Sequence, residues 1–286
     1  MSELAVRRLL IDLEQPIARH WHSGDAFCTA FYNALSMSFP VGEQFFIDSL
    51  RTGIKSLPES EQAKYASTVQ GFIGQEATHR RIHDLFNRHL TQQGLVNNWA
   101  VRGARNAQRA QTMDIAVQVA ITAAIEHFTA IMADWVLRHP HSFAGAEPRL
   151  QTMWQWHASE ESEHRSTAFN LYLVLGGSHK LRVAVFRWVT FEFLTDLTRQ
   201  TVNNLWHDGQ LFRWRTWRSA WTYLFGKQGM ARLCYRPWKH YFAQDFHPDQ
   251  QDVRPALDWL RDNAAAYTVV GTSAKETATE EVQAVA

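Results

Sequence analysis

Apolar residues recur every three to four positions along most of the chain, and strict apolar–polar alternation is rare. That spacing predicts long helices over about 24–50, 59–89, 114–138 and 148–175. Pro40 should bend or restart the first, because proline removes a backbone donor from the helix ladder. The second opens after Leu57-Pro58 and the third stops at Pro140. Gly176-Gly177 offers the fourth a left-handed cap. Residues 94–109 read as irregular or loosely helical. The Asp208-Gly209 pair lacks the alternating flanks of a hairpin. The expected fold class is therefore all-α.

Composition then divides the chain. From about residue 179 the character shifts: residues 180–240 hold eleven Lys/Arg against three acids, together with six tryptophans. Phe186-Arg-Trp, Phe212-Arg-Trp-Arg-Thr-Trp-Arg and Arg236-Pro-Trp-Lys interleave aromatics with cations. One reading is a helical cover on a bundle, with tryptophans packed and arginines outside. Another is an interfacial surface for anionic lipid or an amphiphilic substrate. The whole chain is nearly neutral, at +1, so nucleic acid is not an expected partner. The expected division is a helical bundle over 1–178, a helical extension over 179–267 and a disordered tail over 268–286, where small and polar residues prevail. Cys28 and Cys234 form no CxxC and fit a reducing compartment. No stretch of 18 residues lacks a charge, so no spanning helix is expected. The N-terminus has no signal-peptide pattern. The expected location is cytoplasmic, peripheral to the inner membrane face.

The candidate chemistry lies in the helices. Residues 157–164 read HASEESEH. At about 100° per residue, His157, Glu161 and His164 fall within about 60° of one face. Glu160 sits at the edge of that arc, and Glu163 points elsewhere. On the second helix, Glu76, His79 and His83 share a face in the same way. Chance readily yields a Glu-x-x-His in a chain with fourteen histidines. The repeat is more specific. Each pair follows, one helix earlier, a lone glutamate in apolar surroundings: Glu43 in FPVGEQFFI and Glu126 in AITAAIEHFTAI. Glu43 to Glu76 is 33 residues, and Glu126 to Glu161 is 35. A carboxylate on an apolar helix face with no cation within a turn is costly unless a metal or a partner satisfies it.

One glutamate from each of two helices and a Glu-x-x-His from each of two others is similar to the ligand set of ferritin-like di-metal carboxylate bundles. The added His157, in His-x-x-x-Glu-x-x-His, resembles p-aminobenzoate N-oxygenase. The stretches FPVGEQFF, GFIGQEATHR, WHASEESEHRSTAFNLY and YFAQDFHP resemble the bacterial family of predicted metal-dependent hydrolases over most of the chain. These resemblances imply a ferritin-like four-helix bundle with a Trp/Arg-rich helical extension. The implied metal ligands are Glu43, Glu76, His79, Glu126, His157, Glu161 and His164. Glu76 and Glu161 would bridge two ions, and Glu160 and His83 are further candidates. His127, about 100° from Glu126, reads as structural. Met37 and Met132 read as core. Asp48, Asp84, Asp114 and Asp134 read as surface charges that could orient imidazoles.

Oxygen donors with imidazole suit two iron ions, with manganese an option. The expected activity is a di-metal oxygenase or oxidoreductase using O2 and an external electron donor on a small organic or amphiphilic substrate. The alternative is a metal-dependent hydrolase using metal-activated water. Expected partners include a membrane or lipid surface through 180–240 and a second copy of the chain.

Overall fold

A computed structural model describes residues 4–270. Ten α-helices and one two-stranded sheet make up the described chain. The four long predicted helices are present as α1 (Ala26–Lys55), α2 (Glu59–Gln92), α4 (Ile115–Arg138) and the pair α5 (Pro148–His164) and α6 (Thr167–Val174). They pack as a helical bundle: α1 lies along α2, α4 lies along α5 and α6, and α1 meets α4. The all-α expectation holds.

Three local predictions need correction. The segment at 94–109 is a regular helix, α3 (Asn98–Ala110), whose first turn is capped by the Asn97 side chain on the Ala100 amide at 2.9 Å. The fourth predicted helix is interrupted at Arg165-Ser166. There the Arg165 guanidinium takes the carbonyls of Ser162, Pro248 and Gln251, so the Ser162 carbonyl is satisfied from the side rather than only along the helix ladder. Pro40 does not restart α1, which continues to Lys55. Proline at 40 leaves the Ser36 carbonyl without its usual donor. The Asn87 side-chain amide on α2 donates to it at 2.9 Å, and Asn97 donates to the next carbonyl, Met37, at 2.8 Å. At the other end of the bundle, Gly176 adopts φ 78° and ends α6 as the sequence suggests.

The extension begins with α7 (His179–His207), which packs on α1 and α4, followed by α8 (Trp214–Phe225), α9 (Met230–His240) and α10 (Arg254–Asp262). Leu197, Ala220, Met230 and Leu260 join the same apolar core as Tyr32, Phe86 and Trp156 of the bundle. Of the six tryptophans of 180–240, Trp238 packs on Phe186 and Phe242, and the other five are not packed as a cover would require. Trp188, Trp206, Trp214, Trp217 and Trp221 are all exposed, Trp214 by 75%.

Strands were missed altogether. β1 (Arg7–Leu9) pairs antiparallel with β2 (Tyr267–Val269). Thr268 and Val269 of the expected disordered tail are therefore strand residues, and 271–286 lie outside the described residues. The N-terminal segment reaches its place by crossing α2 at Gly71 and Gly74. A Cβ at Gly71 would lie 2.7 Å from that of Leu4, and one at Gly74 would overlap Val6.

By length and composition α4 could cross a membrane, but 61% of its apolar window is buried inside the fold. It reads as a core helix, and it carries buried Glu126 at its middle.

Candidate metal centre

Seven side chains from four helices converge in the bundle core. Glu43 comes from α1, Glu76 and His79 from α2, Glu126 from α4, and His157, Glu161 and His164 from α5. All seven are buried, none by less than 96% of its surface. Both oxygens of Glu43, Glu76 and Glu126 lack a hydrogen-bond partner among the described residues, as do His79 Nδ1, Glu161 Oε2 and His164 Nε2. Buried polar atoms almost always have partners, so such a concentration of orphaned acceptors marks a missing cation or proton.

Ligand atoms come within 4.8 Å of one another in overlapping groups. One group is Glu43, Glu76 and His79; a second is Glu76, Glu161 and His164; a third is His79, His157 and Glu161. With a fourth group of Glu43, His83 and His157, the carboxylates Glu43, Glu76 and Glu161 each belong to two groups, and Glu76 and Glu161 share one. Glu126 stands beside them, with an oxygen 3.3 Å from His164 Nε2.

The outer nitrogen of each imidazole is already engaged, which fixes the nitrogen that faces inward. His79 donates Nε2–H to Glu160 at 2.9 Å. His164 donates Nδ1–H to Gln75 Oε1 at 3.0 Å. The Gln75 amide nitrogen in turn donates to Glu163 at 3.0 Å and to the Ala5 carbonyl at 2.9 Å. For His157 the argument runs through a chain of donors. Ser36 Oγ donates to Asn87 Oδ1, so it accepts Nδ1–H from His83 at 2.8 Å. Neutral His83 then accepts at Nε2 from His157 Nδ1–H, 2.7 Å away. That leaves the lone pair of His157 Nε2 aimed at Glu161 Oε1, 2.9 Å distant. Two acceptors at that distance require a cation or proton to share. This is the carboxylate–histidine arrangement that orients imidazoles on metals.

Glu160 and His83 therefore differ from the inner seven. Glu160 turns outward, holding His79 and accepting from Arg7 Nη1 at 3.1 Å. His83 has both nitrogens engaged, Nδ1 by Ser36 and Nε2 by His157, although its ring also lies within ligand range of Glu43 and His157. Glu163 points away from the centre, as the helical spacing indicates, but it does not face solvent. It forms a two-pronged pair with Arg7 at 2.6 and 3.0 Å. His127 packs against Phe186, Tyr241 and Phe246, with Nε2 on the Pro237 carbonyl. Met37 is buried in the core and Met132 packs against it. Asp48 pairs with Gln44 and Asp134 with Arg138; Asp84 and Asp114 are exposed. None is hydrogen-bonded to a site imidazole.

The orienting groups that sequence reasoning missed are Arg7, Gln75 and Ser36. Gln75 had a weak signal, since it adjoins the close-packed Gly71 and Gly74. Arg7 had none, because 153 residues separate it from Glu160.

Burial is the largest cause of the upward shift at Glu43, Glu76 and Glu126, and repulsion from Glu161 adds to each. All three lie well above the usual carboxylate range. Burial pushes Glu161 the same way, but His164, His157 and His79 overcome it and hold Glu161 well below that range. Burial alone would lower His79, yet Glu160 and Glu161 raise it to about 10. His157 falls to about 4 through burial and the adjacent His79, despite Glu161. Burial, then His157 and His79, lower His83.

The centre is the kind of multi-residue carboxylate–imidazole site that binds metal ions. A family model described as predicted metal-dependent hydrolase matches residues 5–252. No curated protein and no solved structure matches the chain. The match bears out the resemblance to the hydrolase family and does not extend to the ferritin-like superfamily or to p-aminobenzoate N-oxygenase. It spans every residue of the centre, and the chain belongs to the family of predicted metal-dependent hydrolases.

Proposed function

We propose that the chain is a hydrolase whose centre holds two divalent metal ions. The observation that supports the metals is the set of orphaned, buried ligand atoms. Charge supports the number: Glu43, Glu76, Glu126 and Glu161 carry four negative charges when ionised, and two divalent ions balance them. Glu76 and Glu161 would bridge. His79 and Glu43 would complete one side, with His157, and His164 and Glu126 the other. When bound, such ions lower the pKa of water and polarise a substrate carbonyl. The chain's own groups orient the imidazoles through Glu160, Gln75 and His83 and keep bulk water out.

A second reading, O2 activation by iron or manganese, is favoured by one observation. An apolar chamber abuts His157 and Glu161, and a dry site suits oxygen chemistry. Metal titration at neutral pH is expected to load about two ions per chain. Loading should release protons, because the raised carboxylates hold them in the metal-free protein. Manganese- or zinc-loaded protein should then hydrolyse p-nitrophenyl esters without O2 or reductant. Turnover that requires both would replace the hydrolase with the oxygenase, and binding of only traces of metal would sink both.

For partners, we propose anionic lipid contact through α8 and α9. Trp214 and Trp221 are exposed by 75% and 68%, and Arg213, Arg215 and Arg218 flank them. Paired Trp214→Ala and Trp221→Ala substitutions should weaken binding to phosphatidylglycerol vesicles by about tenfold or more. Equal sedimentation of variant and parent with the vesicles would refute the contact.

A further inference from the structure

We infer that two apolar chambers form one binding site for an alkyl-chain substrate whose polar end reaches the metal centre. This rests on the metal-dependent reading above. The outer chamber, of about 930 Å3 with its mouth, lies between α1, α3, α4 and α7. The inner one, of about 440 Å3 including the space open at its mouth, lies between α1, α4, α5, α7 and α9 and is lined by His157 and Glu161. Phe39, Thr129 and Phe193 line both chambers, so the two adjoin at these side chains. The Phe39 ring stands 4.8 Å from the His157 ring and 4.6 Å from that of His83. It packs directly on the imidazoles at the inner end.

The walls specify the ligand. In the inner chamber the Thr129 hydroxyl is committed to the Glu126 carbonyl and the Tyr32 hydroxyl to Tyr223. The remaining polar groups there are His157, Glu161 and the indole N–H of Trp154, which is buried without a partner on a ring 6.3 Å from that of His157. In the outer chamber Asp196 pairs with Arg102, Glu192 accepts from Asn106, and Ser38 donates to the Leu35 carbonyl. Between Glu192 and Asp196 on the outer wall and the metal end, a ligand crosses a mostly apolar path. A polar group along that path would be buried without a partner. An unbranched chain with a carboxylate or ester at one end meets that requirement.

The test is calorimetric titration of butanoate, octanoate and dodecanoate into metal-free and manganese-loaded protein. Affinity should rise by roughly three- to fourfold per added methylene in both forms. Manganese should tighten all three acids by a common factor, since the head group reaches the same ions. A flat response to chain length overturns the alkyl site while leaving the metal reading intact. Equal affinity with and without bound manganese overturns the placement of the head group. Gly103→Leu fills the outer chamber: a Cβ there meets Val41 at an ordinary 3.5 Å, so the helix tolerates it. It should weaken dodecanoate by about tenfold or more and leave butanoate unchanged. Parallel loss of both acids, or of neither, removes the outer chamber from the site.

Discussion

Glu161→Gln abolishes loading of at least one of the two metal ions, whereas Glu163→Gln weakens loading without abolishing it. Glu161 shares one ligand group with His79 and His157 and another with Glu76 and His164, so its loss disturbs both. Glu163 touches no inner ligand. It holds Gln75 and Arg7, which hold the outer faces of His164 and Glu160. Loss of such support typically costs about ten- to a hundredfold in metal affinity. Metal content by atomic absorption after dialysis separates the two variants. Thermal melting separates ligand loss from misfolding. Without metal, Glu161 repels Glu43, Glu76 and Glu126 but is held by His164, His157 and His79, so each variant's metal-loaded form is compared with its own metal-free form. With metal at about a thousandfold over its Kd, the parent should gain about 4 kcal/mol, and the variant should gain far less. A Glu163 variant stripped of metal beside a fully loaded Glu161 variant would invert the assignment.

Arg7→Met should be among the most destabilising single changes in the N-terminal segment. Arg7 is the cation paired with both Glu160 and Glu163, and the Glu160 side chain has no exposed surface. Removing one partner of a buried pair costs about 3–5 kcal/mol, because the other charge stays buried. His79 still donates to Glu160, so its raised proton affinity offsets part of that cost. Chemical denaturation of the metal-free protein gives the value. Arg7→Lys should restore little of it, since a single ammonium cannot span two carboxylates as the guanidinium fork does. Adding Glu160→Gln and Glu163→Gln to Arg7→Met should recover most of the stability, since no unpaired charge then remains. An Arg7→Met protein as stable as the parent would show that the pair carries no energetic weight.

Most of the inner site was legible in the sequence because helices turn periodicity into geometry. Placement of Glu76 with His79, and of His157 with Glu161 and His164, follows from about 100° per residue and needs no tertiary information. Glu43 and Glu126 were legible for a different reason. A lone carboxylate in FPVGEQFFI or AITAAIEHFTAI has no favourable burial without a partner. The break at Arg165-Ser166 escaped because its cause, the carbonyls of Pro248 and Gln251, lies more than 80 residues away.

By itself, then, the sequence determined the helical class and the identity of the residues that face one another within each helix. The tertiary structure decided which nitrogen of each histidine points inward and whether Glu160 faces the centre or supports it. It also decided that a strand at the N-terminus brings a cation to the site. The physical reason is range. Helical facing is set by the backbone within one or two turns, whereas the partners of Glu160 are Arg7, 153 residues before it, and His79, 81 residues before it. Such pairs form only when the chain packs, and at Gly71 and Gly74 only where a missing Cβ lets the N-terminal segment lie against α2.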